Sequence, residues 1–262
     1  MSEEPPVLLH RTDGIARVVL NRPEARNALN LPMCLALRET FERLDADSSV
    51  RAVLVTASGP AFCAGADLKE RQGRDAAWVR RRRLASFAAY EAIERCAKPV
   101  VALVHGSVVG SGGEIAMSCD FIIAATETTF RFPEAHWGTV GATQRLQRVI
   151  GKRRAKELLF TNRAMSVQEA LGLGLVARVI DAEQLQAAGQ EIAETIAKVP
   201  ALALALTKQA VDLGEETDLS RGIRIELAAI ERCLADGDWQ RGIETFVQES
   251  DGHHTPEEQA WN

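Results

Sequence analysis

Long hydrophobic runs are absent from this 262-residue chain, and no stretch approaches the roughly 20 apolar residues that a membrane-spanning helix needs. The first ten residues, MSEEPPVLLH, also lack the basic region followed by an apolar stretch that marks a secretory signal. We therefore expect a cytoplasmic protein. With 46% hydrophobic and 26% charged side chains, the chain has enough apolar material to bury a full core.

Paired cysteines and an excess of positive charge are also missing. The five cysteines are an odd number, lie far apart and include no C-x-x-C pair, which argues against a disulfide framework and against a zinc site. The net charge of −5 argues against general binding of nucleic acid. A local exception is the run of four arginines at residues 80–83, close to Trp78. Such a run either contacts RNA phosphates or covers a solvated helix face.

Short β-rich runs alternate with helical patterns along most of the chain, which predicts the α/β class. Near-continuous apolar runs are typical of strands that are buried on both faces. They occur at residues 15–20, 52–56, 100–104, 121–125 and 176–180. Helical patterns occupy residues 31–47, 75–97, 112–119, 142–160, 166–172 and 182–198.

After Pro200 the pattern becomes helical only. One helix is predicted up to Gly214, a second over residues 217–234 with Asp218 as a candidate N-cap, and a third over residues 239–248. We therefore divide the chain into a core of residues 1–199 and a helical region of residues 200–262. The second region is more typical of an assembly module than of a catalytic one.

Two glycine-bearing turns follow predicted strands, one at residues 63–67 (CAGAD) and one at residues 110–113 (GSGG). We expect each turn to open a helix, which leaves first-turn N–H groups free to face a ligand. Two such groups can hold an oxygen that gains negative charge in a transition state. Similar turns also bind phosphates or simply reverse the chain, although neither matches G-x-G-x-x-G or a P-loop.

Glu114 and Glu134 are the candidate proton-transfer groups. They lie twenty residues apart, one at a predicted helix start and one after Phe132 and Pro133, so the fold has to bring them together. Two carboxylates beside backbone N–H groups are the parts needed to add water to an activated double bond. The structural alternative is a first-turn carboxylate favoured by the helix dipole and a turn carboxylate after proline.

The order of these segments resembles the crotonase (enoyl-CoA hydratase/isomerase) superfamily. The resemblance covers nearly the whole chain and rests on LNRPEARNALN, AFCAGADLKER, KPVVALVHGSVVGSGGEIAMSCD, FPEAHWG, TQRL and LGLGLVARVI. It implies a crotonase-like spiral of ββα units, a C-terminal helical trimerisation region and a homotrimer or dimer of trimers. The implied reaction is addition of water to the α,β double bond of an acyl-CoA thioester, with no metal and no cofactor beyond the coenzyme A of the substrate.

Carried over to this sequence, the resemblance assigns the oxyanion hole to the N–H groups of Ala66 and Ser111. Glu114 and Glu134 take the places of the two catalytic carboxylates, one activating water and the other delivering a proton to Cα. Both acids together favour hydration, because relatives that keep only the second tend to be isomerases. Contacts to CoA are implied at Arg26, Ala28, Ala64, Asp67, Leu68 and Lys69.

The sequence departs from the family pattern in three places. The loop GTVGATQRL, residues 138–146, is three residues shorter than the G-T-I-P-G-x-G-G-T-Q-R-L of family hydratases. Ser111 stands where glycine is usual, so we expect either a changed backbone angle or an added hydroxyl in the site. Residues 248–251 (QESD) replace a basic stretch, so a cross-subunit lysine contact to CoA phosphate is expected to be missing.

The sequence leaves more than one acyl group possible for the substrate. The run FCAGADLKER resembles that of methylglutaconyl-CoA hydratases, one of which is also an RNA-binding protein. Arg131 either meets a second carboxylate on such a substrate or is a surface ion-pair residue. The alternatives to hydration are isomerase or C–C lyase chemistry on an acyl-CoA, and a binding-only or RNA-binding role.

Overall fold

The computed structural model describes residues 4–237, 239–240, 242–244 and 246–247. The chain falls into two compact units that divide between Lys198 and Val199. Strands and helices alternate along the first unit, so the predicted α/β class is confirmed. In the described part of the chain, none of the helices has the length and apolar character needed to cross a membrane.

The described strands and helices have the following bounds. The strands are β1 (Val7–Thr12), β2 (Ile15–Leu20), β3 (Ala52–Ala57), β4 (Val100–Val104), β5 (Ser107–Val109), β6 (Phe121–Ala125), β7 (Thr129–Arg131), β8 (Met165–Ser166) and β9 (Arg178–Ile180). The α-helices are α1 (Leu31–Ala46), α2 (Ala76–Glu94), α3 (Ser111–Met117), α4 (Thr143–Ile150), α5 (Lys152–Thr161), α6 (Val167–Gly172), α7 (Leu185–Ala197), α8 (Ala201–Glu215) and α9 (Leu219–Asp236). Short 3-10 turns occupy Pro23–Ala25, Lys69–Arg71, Ala135–Trp137 and Ala182–Gln184.

Two sheets organise the first unit. The larger sheet has the strand order β1-β2-β3-β4-β6-β9 and is parallel except for the β1–β2 pair. The smaller sheet has the order β5-β7-β8, with β5 and β7 parallel. The chain alternates between the sheets, because β4 leads into β5 and α3, and β6 leads into β7. The segments after β5 and β7 therefore leave the smaller sheet at the same end.

The larger sheet is buried on both faces, which explains the continuous apolar runs. Val53, Val55 and Ala102 belong to one hydrophobic cluster, whereas the alternating residues Leu54 and Val101 belong to the other. The second cluster includes side chains of α7, and a methyl group added at Gly189 of that helix would lie 2.4 Å from Leu103. The sequence prediction of doubly buried strands is thus confirmed for β2, β3, β4 and β6.

Three predicted elements differ in the structure. The pattern over residues 142–160 forms two helices, because Gly151 adopts a φ of 83° and ends the first. The predicted strand at residues 176–180 is limited to β9. The turn at residues 63–67 does not open an α-helix directly: only the 3-10 turn Lys69–Arg71 follows before α2 begins. The short or half-exposed strands β1, β5, β7 and β8 were not predicted, since too few of their residues are apolar.

The second unit contains α8 and α9. Asp218 caps α9 as predicted, because its side chain accepts a hydrogen bond from the N–H of Arg221 at 3.1 Å. The predicted helix over residues 239–248 falls partly outside the described residues, and residues 248–251 lie outside them entirely. Large apolar side chains of α9 remain exposed at helical spacing, namely Leu219, Ile223, Leu227, Ile230 and Leu234.

Helix α1 offers a matched test of this core. Leu37 is fully buried, whereas Leu35 on the same helix is 53% exposed. Leu37→Ala should lower the free energy of unfolding by about 2–5 kcal/mol, because it removes buried methyl groups and leaves a cavity. Leu35→Ala should change it by roughly 0.5 kcal/mol or less. Urea denaturation at one fixed protein concentration measures both, and equal losses would contradict the assigned packing of α1.

Candidate active site

Ala66 is positioned by a short parallel bridge to Leu29. The Leu29 N–H donates to the Gly65 carbonyl at 2.8 Å, and the Asp67 N–H donates to the Leu29 carbonyl at 2.9 Å. In a parallel bridge of this kind the residue between the two bonds turns its own N–H to the other side. The Ala66 N–H is therefore free to face a ligand for a reason that the sequence did not show, since no helix begins at this turn.

Ser111 is the first residue of α3. Its N–H precedes the first intrahelical bond, which runs from the Glu114 N–H to the Gly110 carbonyl at 3.0 Å. The unusual backbone angle lies at Gly110, with a φ of 47°, whereas Ser111 keeps an ordinary negative φ. The serine therefore causes no unusual backbone angle at position 111. The nearby hydroxyl of Ser111 opposes the rise that burial causes in the pKa of Tyr90.

The two N–H-bearing turns lie side by side. Cys63 and Val108 form a second parallel bridge, and the Val109 N–H donates to the Cys63 carbonyl at 2.9 Å. Gly112 packs so closely on this loop that an added methyl group would lie 2.7 Å from the Cys63 carbonyl oxygen. Gly112 is therefore needed for contact between the two turns.

Glu114 is only 5% exposed, and both of its carboxylate oxygens accept hydrogen bonds. Oε1 accepts from the Ala142 N–H at 2.6 Å, and Oε2 accepts from Nη1 of Arg145 at 2.8 Å. Ala142 reaches this position with a φ of 54°, in a region that costs an L-residue roughly 1–2 kcal/mol. The shortened loop thus places a backbone donor on the first carboxylate.

Glu134 has the opposite environment. Its buried Oε2 has no hydrogen-bond partner among the described residues. The carboxylate fits against two glycines, since methyl groups added at Gly110 and Gly141 would lie 2.5 Å from Oε1 and 2.7 Å from Cγ. Burial raises the pKa of Glu134, and the nearby charge of Glu114 raises it further. Glu134 is therefore protonated more readily than an ordinary glutamate.

The two carboxylates line one small recess. One face of α2 forms its opposite wall, with Arg83, Phe87 and Tyr90 at helical spacing. Arg83 also donates to the Val140 carbonyl in the shortened loop. The fold therefore brings together Glu114, Glu134 and Ser111, as the sequence predicted, and adds a wall from α2 that it did not predict.

The candidate CoA contacts lie on two chain segments, residues 26–28 and residues 64–69. The Arg26 carbonyl accepts from the Ala64 N–H at 2.9 Å, which ties the two segments together. Asp67 is committed to an ion pair with Arg22 at 3.0 Å, a partner that the sequence analysis did not identify. Exposed side chains in this cluster are those of Arg26, Leu68 and Lys69, whereas Ala28 and Ala64 are partly buried.

The four arginines at residues 80–83 do not form one basic patch. Successive residues of a helix point about 100° apart, so they lie on different sides of α2. Arg82 is 1% exposed, pairs with Glu70 at 2.6 Å and also donates to the Leu29 carbonyl. Arg83 faces the recess, and only Arg80 and Arg81 are exposed. Contact of all four arginines with RNA phosphates is therefore not supported by their positions on this helix.

Arg131 is the other arginine that the structure reassigns. Its Nε donates to the carbonyl and to Oδ1 of Asn162, at 3.0 and 2.9 Å. It does not line the recess with Glu114 and Glu134. The proposed contact to a second substrate carboxylate is therefore not supported by its position.

Known proteins similar to this chain share its length and fold. A family model described as Enoyl-CoA hydratase/isomerase matches residues 10–256. A crotonyl-CoA hydratase from Syntrophomonas wolfei is 35% identical, with 92% of this chain and 95% of the relative covered. A probable enoyl-CoA hydratase from Rhizobium meliloti is 38% identical, with 92% and 94% covered. The crystal structure of an enoyl-CoA hydratase from Bacillus anthracis superposes with a TM-score of 0.90 at 34% identity, covering 93% and 96% of the two chains. The expected spiral fold is confirmed.

The contact between the two turns is testable at Gly112. Gly112→Ala should lower the free energy of unfolding by about 1–3 kcal/mol, because the new methyl group overlaps a backbone carbonyl that cannot rotate away. Gly172 at the end of α6 is the control, since a methyl group there meets nothing within 4 Å. Urea denaturation should show no loss for Gly172→Ala, and an unchanged Gly112→Ala variant would contradict the close approach.

The raised pKa of Glu134 predicts a pH-dependent stability. A carboxyl whose pKa is higher in the folded state stabilises the fold at low pH, and this contribution is lost as pH rises through the folded pKa. Glu134→Gln should therefore be more stable than the wild type at neutral pH, and the difference should vanish below about pH 4. Unfolding measured across this pH range tests the sign, with the exposed Glu127→Gln as control. A less stable Glu134→Gln at neutral pH would refute it.

Proposed function

The chain belongs to the enoyl-CoA hydratase/isomerase family, and from that premise and the site geometry we propose that it adds water to the α,β double bond of an acyl-CoA thioester. The observation that carries this proposal is the contrast between two buried carboxylates on one recess. Glu114 accepts two hydrogen bonds, one from a guanidinium, whereas Glu134 has an unpartnered oxygen and a raised pKa. Pairs of carboxyls with contrasting environments are typical of acid–base catalysis.

The N–H groups of Ala66 and Ser111 would bind the thioester carbonyl oxygen. As water attacks Cβ, this oxygen gains the negative charge of an enolate, which two fixed donors stabilise. The lone pair of water forms the new C–O bond, and the π electrons of the double bond move towards the carbonyl. The positive end of the α3 dipole adds to this stabilisation at Ser111.

Proton transfer would divide between the two glutamates. Glu114 faces only donors in its pocket and therefore takes the proton from the attacking water. Glu134, whose pKa is raised by burial, delivers a proton to Cα. The proton gained by Glu114 balances the proton lost by Glu134, so the pair returns to its starting state by exchange through solvent. The retention of both acids supports hydration over isomerisation.

The remaining parts of the site and assembly are proposals that follow from the family. Arg26 and Lys69 would offset the charge of CoA phosphates, and Ala28, Ala64 and Leu68 would line the adenosine end; Asp67 would act by holding Arg22. The site as proposed uses no metal and no further cofactor. The exposed apolar side chains of α9 support assembly with further copies, and the family resemblance implies a homotrimer or a dimer of trimers. The cytoplasmic location stays a prediction.

The first test is hydration of crotonyl-CoA and of a branched, carboxylated enoyl-CoA by purified protein. Loss of the conjugated-thioester absorbance should occur with the wild type, and Glu114→Gln or Glu134→Gln should lower kcat by about 10²–10⁴-fold because each removes one proton-transfer group. Binding of CoA should persist in both variants. Glu127→Gln is the control for loss of an exposed carboxylate.

Rates near the wild-type value in either active-site variant would overturn the assignment of the acids. Absence of turnover by the wild type on both substrates would overturn hydration itself. The preferred substrate of the two identifies the acyl group for which the recess is shaped.

A further inference from the structure

Arg145 is held from two sides next to Glu114, which lines the recess. Its Nε and Nη2 bond both oxygens of Glu94, at 2.5 and 2.7 Å, and its remaining Nη1 reaches Oε2 of Glu114 at 2.8 Å. Glu94 is the last residue of α2, so this ion-pair chain joins α2 through α4 to the first carboxylate on α3. A bidentate carboxylate fixes both the position and the plane of a guanidinium.

Aromatic packing completes the restraint on Arg145. Its guanidinium lies 5.3 Å from the ring centroid of Tyr90, one turn before Glu94 on the same face of α2. The side chain of Arg145 is 18% exposed and that of Glu94 is 40% exposed. Glu94 therefore does not line the reacting centre, although its partner touches Glu114.

The chemical consequence concerns the strength of Glu114 as a base. An arginine that formed a bidentate ion pair with one carboxylate would neutralise the charge of that carboxylate and hold both of its oxygens. Glu94 prevents this arrangement, because it occupies two of the three guanidinium nitrogens and leaves only Nη1 for Glu114. The set of Glu94, Arg145 and Glu114 keeps a net charge of −1, which suits acceptance of a proton.

We propose that Glu94 is a positioning residue for the hydration reaction: it clamps Arg145 so that only one guanidinium nitrogen reaches Glu114, whose carboxylate stays oriented and remains able to accept a proton. The inference rests on the proposed function and extends it to a residue outside the reacting centre. It requires no rearrangement of the fold, since every contact is present in the described structure.

The test compares steady-state hydration of crotonyl-CoA by wild type, Glu94→Gln and Glu91→Gln. Glu94→Gln should lower kcat about tenfold with KM nearly unchanged, because Arg145 loses its charged clamp and shifts onto Glu114 while the CoA contacts remain. Glu91→Gln removes an ion pair with Arg95 on the same helix at 2.9 Å, away from the recess, and should behave as wild type. Glu94→Asp, which keeps the charge, should recover part of the lost kcat.

A double-mutant cycle separates positioning from a general loosening of the fold. If Glu94 acts through Glu114, adding Glu94→Gln to Glu114→Gln should produce no further loss of the residual rate. An additional tenfold loss in that background, or a wild-type kcat in Glu94→Gln alone, would overturn the proposal. Thermal unfolding establishes that each variant is folded before its rate is compared.

The outcomes also separate this inference from the proposed function. If the wild type turns over neither crotonyl-CoA nor the branched, carboxylated enoyl-CoA, both the proposed function and the role of Glu94 are overturned. A wild type that hydrates either substrate in a manner dependent on Glu114, with no effect of Glu94→Gln, overturns the role of Glu94 alone.

Discussion

The site depends on hydrogen bonding between short, irregular chain segments rather than on the large sheet. The bridges from Leu29 to Ala66 and from Cys63 to Val108 lay the segments around Leu29 and Ala66 beside strand β5. The parallel pairing of β5 and β7 then brings Ser111 and Glu134 out at the same end of the smaller sheet. A shift of one residue in any of these pairings would turn the donors and carboxylates away from each other.

The sequence predicted the parts of the site whose chemistry is visible in a few adjacent residues. The doubly buried strands, the glycine turns, Glu114 and Glu134 were all identified from local pattern and family resemblance. It failed where the outcome depends on distant contacts. The N–H of Ala66 is freed by pairing with Leu29, which lies 37 positions earlier in the chain, and not by a helix start. Arg145 lies in the TQRL segment, but nothing local indicates that it would reach Glu114.

The shortened loop at residues 138–146 contributes directly to the site. Its residues support the two acids: Ala142 donates to Glu114, and Gly141 makes room for the Glu134 side chain. The left-handed backbone of Ala142 is the energetic cost of that arrangement, and a costly conformation at a contact with a candidate catalytic group is typical of functional sites.

Helix α2 contacts both halves of the site through different faces. Arg82 bonds the Leu29 carbonyl beside the Ala66 turn, whereas Arg83, Tyr90 and, through Arg145, Glu94 face the carboxylates. Helix α2 therefore positions both the segment that stabilises charge and the groups that transfer protons. A small sliding movement of this helix would displace the two functions together and by the same amount. Their relative alignment is consequently less sensitive to thermal motion than either is alone.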